Sequence, residues 1–121
     1  MPIKRILTMS TAIGEWAENE AVKILLEKGH KILERNWRAG KLEVDIISMD
    51  KNQLVFTEVK YRRSDYFGAP QEFVTRQKQR FLIKAANVYL ENKDLDVDSR
   101  FDVIAISKNN KEHFEEAFRP Y

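Results

Sequence analysis

Residues 42–61 read LEVDIISMDKNQLVFTEVKY, and this stretch decides the fold. Two runs rich in β-branched and aromatic residues, 42–49 and 53–61, flank Asp50-Lys51-Asn52, a set of turn-friendly residues. They predict a β-hairpin. With Lys51-Asn52 as a two-residue loop, Asp50 faces Gln53. Counting back, Met49 faces Leu54, Ile47 faces Phe56, Asp45 faces Glu58 and Glu43 faces Lys60. Alternation puts these pairs on one face of the sheet and Val44, Ile46, Val55 and Val59 on the other. Both faces are apolar near the turn, which predicts strands buried on both sides. A three-residue loop would slip this register while leaving Asp45 and Glu58 near neighbours.

The far end of the hairpin carries the chemistry. Directly opposed residues have Cβ atoms roughly 4.5–5.5 Å apart, and like charges there repel. A proton on one acid, the Lys60 ammonium or a shared divalent cation would offset that repulsion. Lys60 lies two residues after Glu58 and emerges on the same face. Two carboxylates and a lysine so placed suit metal-assisted phosphodiester hydrolysis. The acids hold the metal, and the lysine orients water or neutralises developing charge. Taken alone, Glu-x-Lys in a strand is also a common surface charge ladder, and Glu43 can simply pair with Lys60.

Outward from the hairpin, a helix is expected from Ser10 or Thr11 to Gly29, with Ile13, Trp16, Ala17, Ala21, Ile24 and Leu25 on its apolar stripe. Residues 31–37 read as a first strand, and Gly40 as a turn. Gly68 and Pro70 punctuate a loop. Thr75 is the N-cap of a second helix running to about Asn92, whose apolar residues include Phe81, Leu82, Ala85, Ala86, Tyr89 and Leu90. Residues 100–107 read as a strand, and 112–118 as a short helix or an edge strand. The order predicts an α/β fold, a mixed central sheet flanked by helices. Trp16 and Trp37 are expected as core or boundary aromatics, and Arg100 and Asp102 as a structural ion pair.

The chain has 121 residues, which fits one domain over 1–121 with residues 1–9 as a flexible N-terminal tail. It has no cysteine and two histidines, so thiolate and histidine metal sites are excluded. Oxygen ligands remain, and these favour Mg2+ or Mn2+. No apolar run is long enough to cross a membrane, and the missing cysteines fit a cytoplasmic location. The net charge is only +2, but residues 60–84 hold a local excess of bases. Arg62 and Arg63, following the hairpin, together with Arg76 and Lys78 in the first turn of the second helix, are candidate phosphate contacts. From charge alone, a solvated helix face is the simpler reading of the last two.

Asp45 followed by Glu58-Val59-Lys60 across a hairpin resembles the PD-(D/E)xK nuclease superfamily. Nearly the whole chain is similar to the UPF0102 (YraN) family of small endonuclease-like bacterial proteins. The matching segments include Gly14-Glu15-Trp16-Ala17-Glu18, Arg35-Asn36-Trp37-Arg38, Glu43 to Ile47, Leu54 to Arg62, Phe67-Gly68, Val74-Thr75 with Lys78, and Arg100-Phe101-Asp102-Val103. The resemblance implies a restriction-endonuclease-like core of helix, three strands, helix and strand. It implies Asp45, Glu58 and the Val59 carbonyl as ligands of Mg2+ or Mn2+, with Lys60 as the catalytic lysine. By analogy with archaeal Holliday-junction resolvases, an acid on the first helix joins the site. Glu18 has the matching spacing to Gly29, and Glu20 is its rival. Glu15 points away from the apolar stripe and reads as a solvated acid. The implied partner is nucleic acid, DNA and branched DNA in particular, cut by a homodimer. A non-catalytic nucleic-acid-binding module and a structural or adaptor protein are the alternatives. The chain departs from the family pattern at Leu42, Val44 and Thr57, where glycine, proline (in the wider superfamily) and valine are frequent.

Overall fold

A computed structural model describes residues 9–120 of the chain. The expected N-terminal tail lies outside the described residues except for Met9, which opens the first helix. The elements are α1 (Met9–Glu27), β1 (Lys31–Ala39), β2 (Leu42–Asp50), β3 (Gln53–Tyr61), a 3-10 turn (Pro70–Glu72), α2 (Arg76–Lys93), β4 (Asp98–Ile106) and β5 (Lys111–Phe118). The strands form one sheet in the order β1-β2-β3-β4-β5. All neighbours are antiparallel except β3 and β4, which run parallel and are joined through α2. This mixed sheet with two helices is compatible with a nuclease-like core.

Local chemistry sets the boundaries. Gly29 takes φ 90°, a left-handed conformation open to glycine, and the amide of His30 closes α1 by donating to the Leu25 carbonyl. Thr75 caps α2, its side chain accepting from the Lys78 amide at 3.1 Å. The β2–β3 loop is the expected two residues, with Asp50 opposite Gln53 and Lys51 at φ 56°. Residues 112–118, open between helix and strand in sequence, belong to an edge strand.

The helices cover opposite faces. On the α2 side Phe56, Phe101, Leu82 and Tyr89 form the buried centre, with the Phe56 ring edge-on to Tyr89 at 5.9 Å and stacked on Phe101 at 5.8 Å. On the α1 side Ala17, Ala21 and Leu25 press on Ile46, Ile104 and Ile106. The two alanines, four residues apart, let the helix lie close to the sheet. Trp16 is a boundary residue, its ring edge-on to Tyr61 at 6.3 Å, and Trp37 packs edge-on to Tyr89 at 5.2 Å. Phe81, expected among the apolar residues of α2, is instead exposed.

The hairpin departs from regular alternation where the chemistry sits. The β2–β3 ladder runs from Asp50↔Gln53 only to Ile46↔Thr57, so the expected pairs Asp45–Glu58 and Glu43–Lys60 do not form as ladder pairs. Val44, expected on the Ile46 face, packs instead on the α2 side with Ile47. The pleat therefore reverses at Asp45. β1 reverses with it: Arg35 pairs with Ile46 and Trp37 with Val44, while Asn36 between them takes φ 52°. Asparagine tolerates that left-handed backbone better than most residues. Glu43 is carried to Arg38, 3.6 Å away, rather than to Lys60.

A buried polar network holds the other end of the sheet. Arg100 grips Asp102 with two bonds, 2.9 and 3.0 Å, and reaches Asp50 at 3.2 Å. The Asp102 carboxylate also accepts from His113 at 2.7 Å and from the Glu116 amide at 3.0 Å. Arg100 and Asp102 are thus an ion pair tying β4 to β2 and β5.

Candidate functional site

Beyond Ile46 the β2–β3 ladder pairing stops, and a side chain links the two strands instead. Asp45 Oδ2 accepts from the Val59 amide at 2.8 Å, fixing the carboxylate against the strand that carries Glu58 and Lys60. Glu58 is only 5% exposed, because β3 is a central strand under α2. Lys78 comes down from α2 to within 3.4 Å of Glu58 Oε2. That contact is a charge approach without hydrogen-bond geometry, and Oε2 is buried with no hydrogen-bond partner.

Burial is the first cause of a large shift in Glu58, pushing its carboxyl up to about 8. Asp45 adds to it, by hydrogen-bonding the protonated form and by its charge, while Lys78 and Lys60 pull the other way. Glu18, on α1, is also raised, by burial first and then by the Asp45 charge. The Asn36 amide and Arg35 draw it back down. Glu20 faces elsewhere: Lys111 holds it at 2.8 Å and Lys23 at 3.4 Å, and its pKa is lowered, first by the Lys111 bond. The first-helix acid that feels Asp45 is therefore Glu18. Sequence spacing alone left Glu18 and Glu20 open.

The residues around this cluster divide. Lys60, half-buried, shares the cluster through its charge on Glu58. Arg62 and Arg63 line a separate groove of about 290 Å3 beyond the end of β3, with the Arg62 guanidinium 5.1 Å from the Phe73 ring centre. Arg76 lies apart, in a hollow beside Ala117, Phe118 and Arg119. On the α1 side a cleft of about 630 Å3 is lined by Glu18, Asn19, Arg35, Asn36 and Arg38 among others, with the Arg35 guanidinium donating to Asn19 at 2.8 Å. Asp45 and Glu58 lie outside that lining. Sequence reading assigned no role to Asn36. An asparagine inside a strand pattern was the available signal, because a left-handed residue there breaks the pleat.

A divalent cation fits what these residues offer. Among the described residues no group of three His, Cys, Asp or Glu side chains makes a ready-made metal cluster. Two adjacent carboxylates do meet, one with a buried oxygen lacking a hydrogen-bond partner, and every donor is oxygen. Magnesium is commonly held by one or two carboxylates with water and substrate phosphate completing its shell.

Among the described residues no helix is long and apolar enough to cross a membrane. The model of the uncharacterised protein family UPF0102 matches residues 17–106. A UPF0102 protein of Flavobacterium psychrophilum is 47% identical over 110 residues, covering 88% of this chain and 92% of its own. One from Christiangramia forsetii is 46% identical over 110 residues, covering 88% and 92%. One from Thermodesulfovibrio yellowstonii is 45% identical over 106 residues, covering 88% and 95%. With the family model spanning both helices' sheet-facing cores and four of the five strands, the chain belongs to the uncharacterised protein family UPF0102.

Proposed function

We propose that this protein is a metal-dependent endonuclease that hydrolyses phosphodiester bonds of DNA. The observation that carries the reading is Glu58, a buried carboxyl group whose Oε2 lacks a hydrogen-bond partner, set against a second acid and approached by a lysine. A structural role gives no reason to bury such a group. Asp45 and Glu58 would hold Mg2+ or Mn2+, with the Val59 carbonyl and Glu18 completing the protein's share. The bound ion would supply Lewis acidity and a more acidic water.

The protein's own residues do the rest. Asp45, anchored on the Val59 amide, keeps the two strands at a fixed offset. Lys60 orients the attacking water or neutralises charge on the phosphate oxygens. Lys78, already against Glu58, adds a second cation for the phosphate. Arg62 and Arg63 hold the strand beyond the cut. Branched DNA requires paired incisions, which suits a homodimer with two-fold symmetry.

The test is a cleavage assay on linear duplex, single-stranded and four-way-junction DNA, with RNA beside them, in magnesium, manganese or EDTA. Metal-dependent cutting by the wild type, lost in both Asp45→Asn and Glu58→Gln, is the expected outcome. A variant that cuts at the wild-type rate would overturn the site assignment. Salt-sensitive binding with no cutting on any substrate would make the protein a non-catalytic nucleic-acid-binding module.

A further inference from the structure

The loop after β3 presents an aromatic ring that the site described above does not use. Tyr66 is 84% exposed, the most exposed large apolar side chain among the described residues. Single exposed aromatics are ordinary on protein surfaces. Here, however, the backbone on both sides of the ring is tied down. Asp65 accepts from the Ser107 hydroxyl at 2.5 Å through its carboxylate, and from the Asn110 side chain at 2.7 Å through its carbonyl. The Tyr66 amide donates to Ser64 Oγ at 3.2 Å. Phe67 is buried with Phe73, Val74 and Val103. Gly68 follows at φ 70°, with the Glu72 carboxylate lying where a Cβ would stand. The neighbours are anchored, and the ring is left in water on a backbone already ordered. An aromatic so held makes contact at little entropic cost.

Its surroundings say what it would contact. Tyr66 lines the 290 Å3 groove with Arg62, Arg63 and Phe73, and this groove begins just past Lys60 along the chain. Arg62 is steadied on the Phe73 ring. Two arginines lining one groove with an exposed ring offer a match for phosphates beside a base face. We propose that Tyr66 is a base-stacking platform: an unpaired nucleobase of the bound strand lies on its ring while Arg62 and Arg63 hold the adjoining phosphates. This rests on the nucleic-acid reading above and narrows its substrate class. A base inside a continuous duplex has both faces covered by its neighbours. The protein therefore selects nucleic acid with unpaired nucleotides next to the cut, such as single strands, flaps or the open centre of a junction.

Fluorescence anisotropy in calcium, in place of magnesium, measures binding of labelled oligothymidylate, the same strand with abasic residues, and blunt duplex. The wild type should bind oligothymidylate about tenfold more tightly than the abasic strand. Tyr66→Ala should lose that advantage and leave abasic binding unchanged, while Tyr66→Phe and Tyr66→Trp should keep it. Wild-type binding by Tyr66→Ala, or an equal loss on the abasic strand, would overturn the stacking role and leave the nucleic-acid reading standing. A wild type that binds none of the three would overturn both.

Discussion

At the scale of single residues, Glu58 couples fold stability to pH. Its folded pKa of about 8 lies above the ordinary carboxyl value of 4.5. Below the lower value it is protonated in both states and costs nothing. Between the two, the unfolded chain releases a proton that the folded protein retains, so stability falls as pH rises, levelling off above about 8. Glu58→Gln removes this loss. In EDTA the variant should therefore gain on the wild type across that window, by on the order of a few kcal/mol at its top. Melting temperatures of both proteins measured across the range test this, and parallel curves would sink it. Thr57 offers a second handle. Its side chain is fully buried, and Oγ1 has no hydrogen-bond partner. Thr57→Val keeps the shape and removes the orphan hydroxyl, so it should stabilise the protein by about 1 kcal/mol in urea denaturation.

At the scale of elements, the paired reversal of β1 and β2 is what moves Asp45 off the regular pleat. Asn36 makes that reversal affordable in backbone terms, being left-handed opposite the break. Asn36→Gly keeps access to this conformation, whereas Asn36→Ala does not. The alanine variant should be less stable than the glycine variant by about 1 kcal/mol, the reverse of their usual order in a strand. Equal unfolding midpoints would remove the argument. The Arg100 network makes a different demand on β4 and β5. Burial alone would raise Asp102, but bonds from His113, Arg100 and the Glu116 amide outweigh it and hold the pKa below the usual carboxylate value. Arg100→Met leaves that buried charge half-partnered and should cost about 3 kcal/mol near neutrality. The stability from Asp102 is present above the unfolded carboxyl value and lost as pH falls through the lowered folded one. The cost of the substitution should therefore shrink in acid, as denaturation curves at two pH values would show.

At the scale of the whole molecule, a net charge of +2 supplies little attraction for nucleic acid. On the proposed function, binding rests on local groups instead. Replacing Arg62 or Arg63 by alanine should weaken binding uniformly across sequences, and each should lower the slope of log affinity against log salt by about 1. Anisotropy titrations at several salt concentrations measure this. An unchanged slope would place the phosphate contacts elsewhere. The sheet order itself serves the site. It makes β3 central, with a parallel neighbour, so Leu54 to Glu58 in its middle are buried while Gln53 and residues 59–61 at its two ends are partly exposed.

Much of this was legible in the chain itself. The turn at Lys51-Asn52, the two-residue loop, the cap at Thr75 and the apolar runs are local signals, and local backbone chemistry is enough to fix them. The proximity of Asp45 to Glu58 also followed from strand pairing, even though the ladder ends before it reaches them. The reversal at Asn36 and Asp45 was not legible, because regular alternation is the default and its failure depends on what each face must pack against. Val44 went to the α2 core and Glu43 to Arg38 for that reason. The choice between Glu18 and Glu20, and the descent of Lys78 onto Glu58, join groups far apart in sequence. Side-chain spacing along one helix determines which way an acid points. Only the packing of helices on the sheet decides which charge it meets.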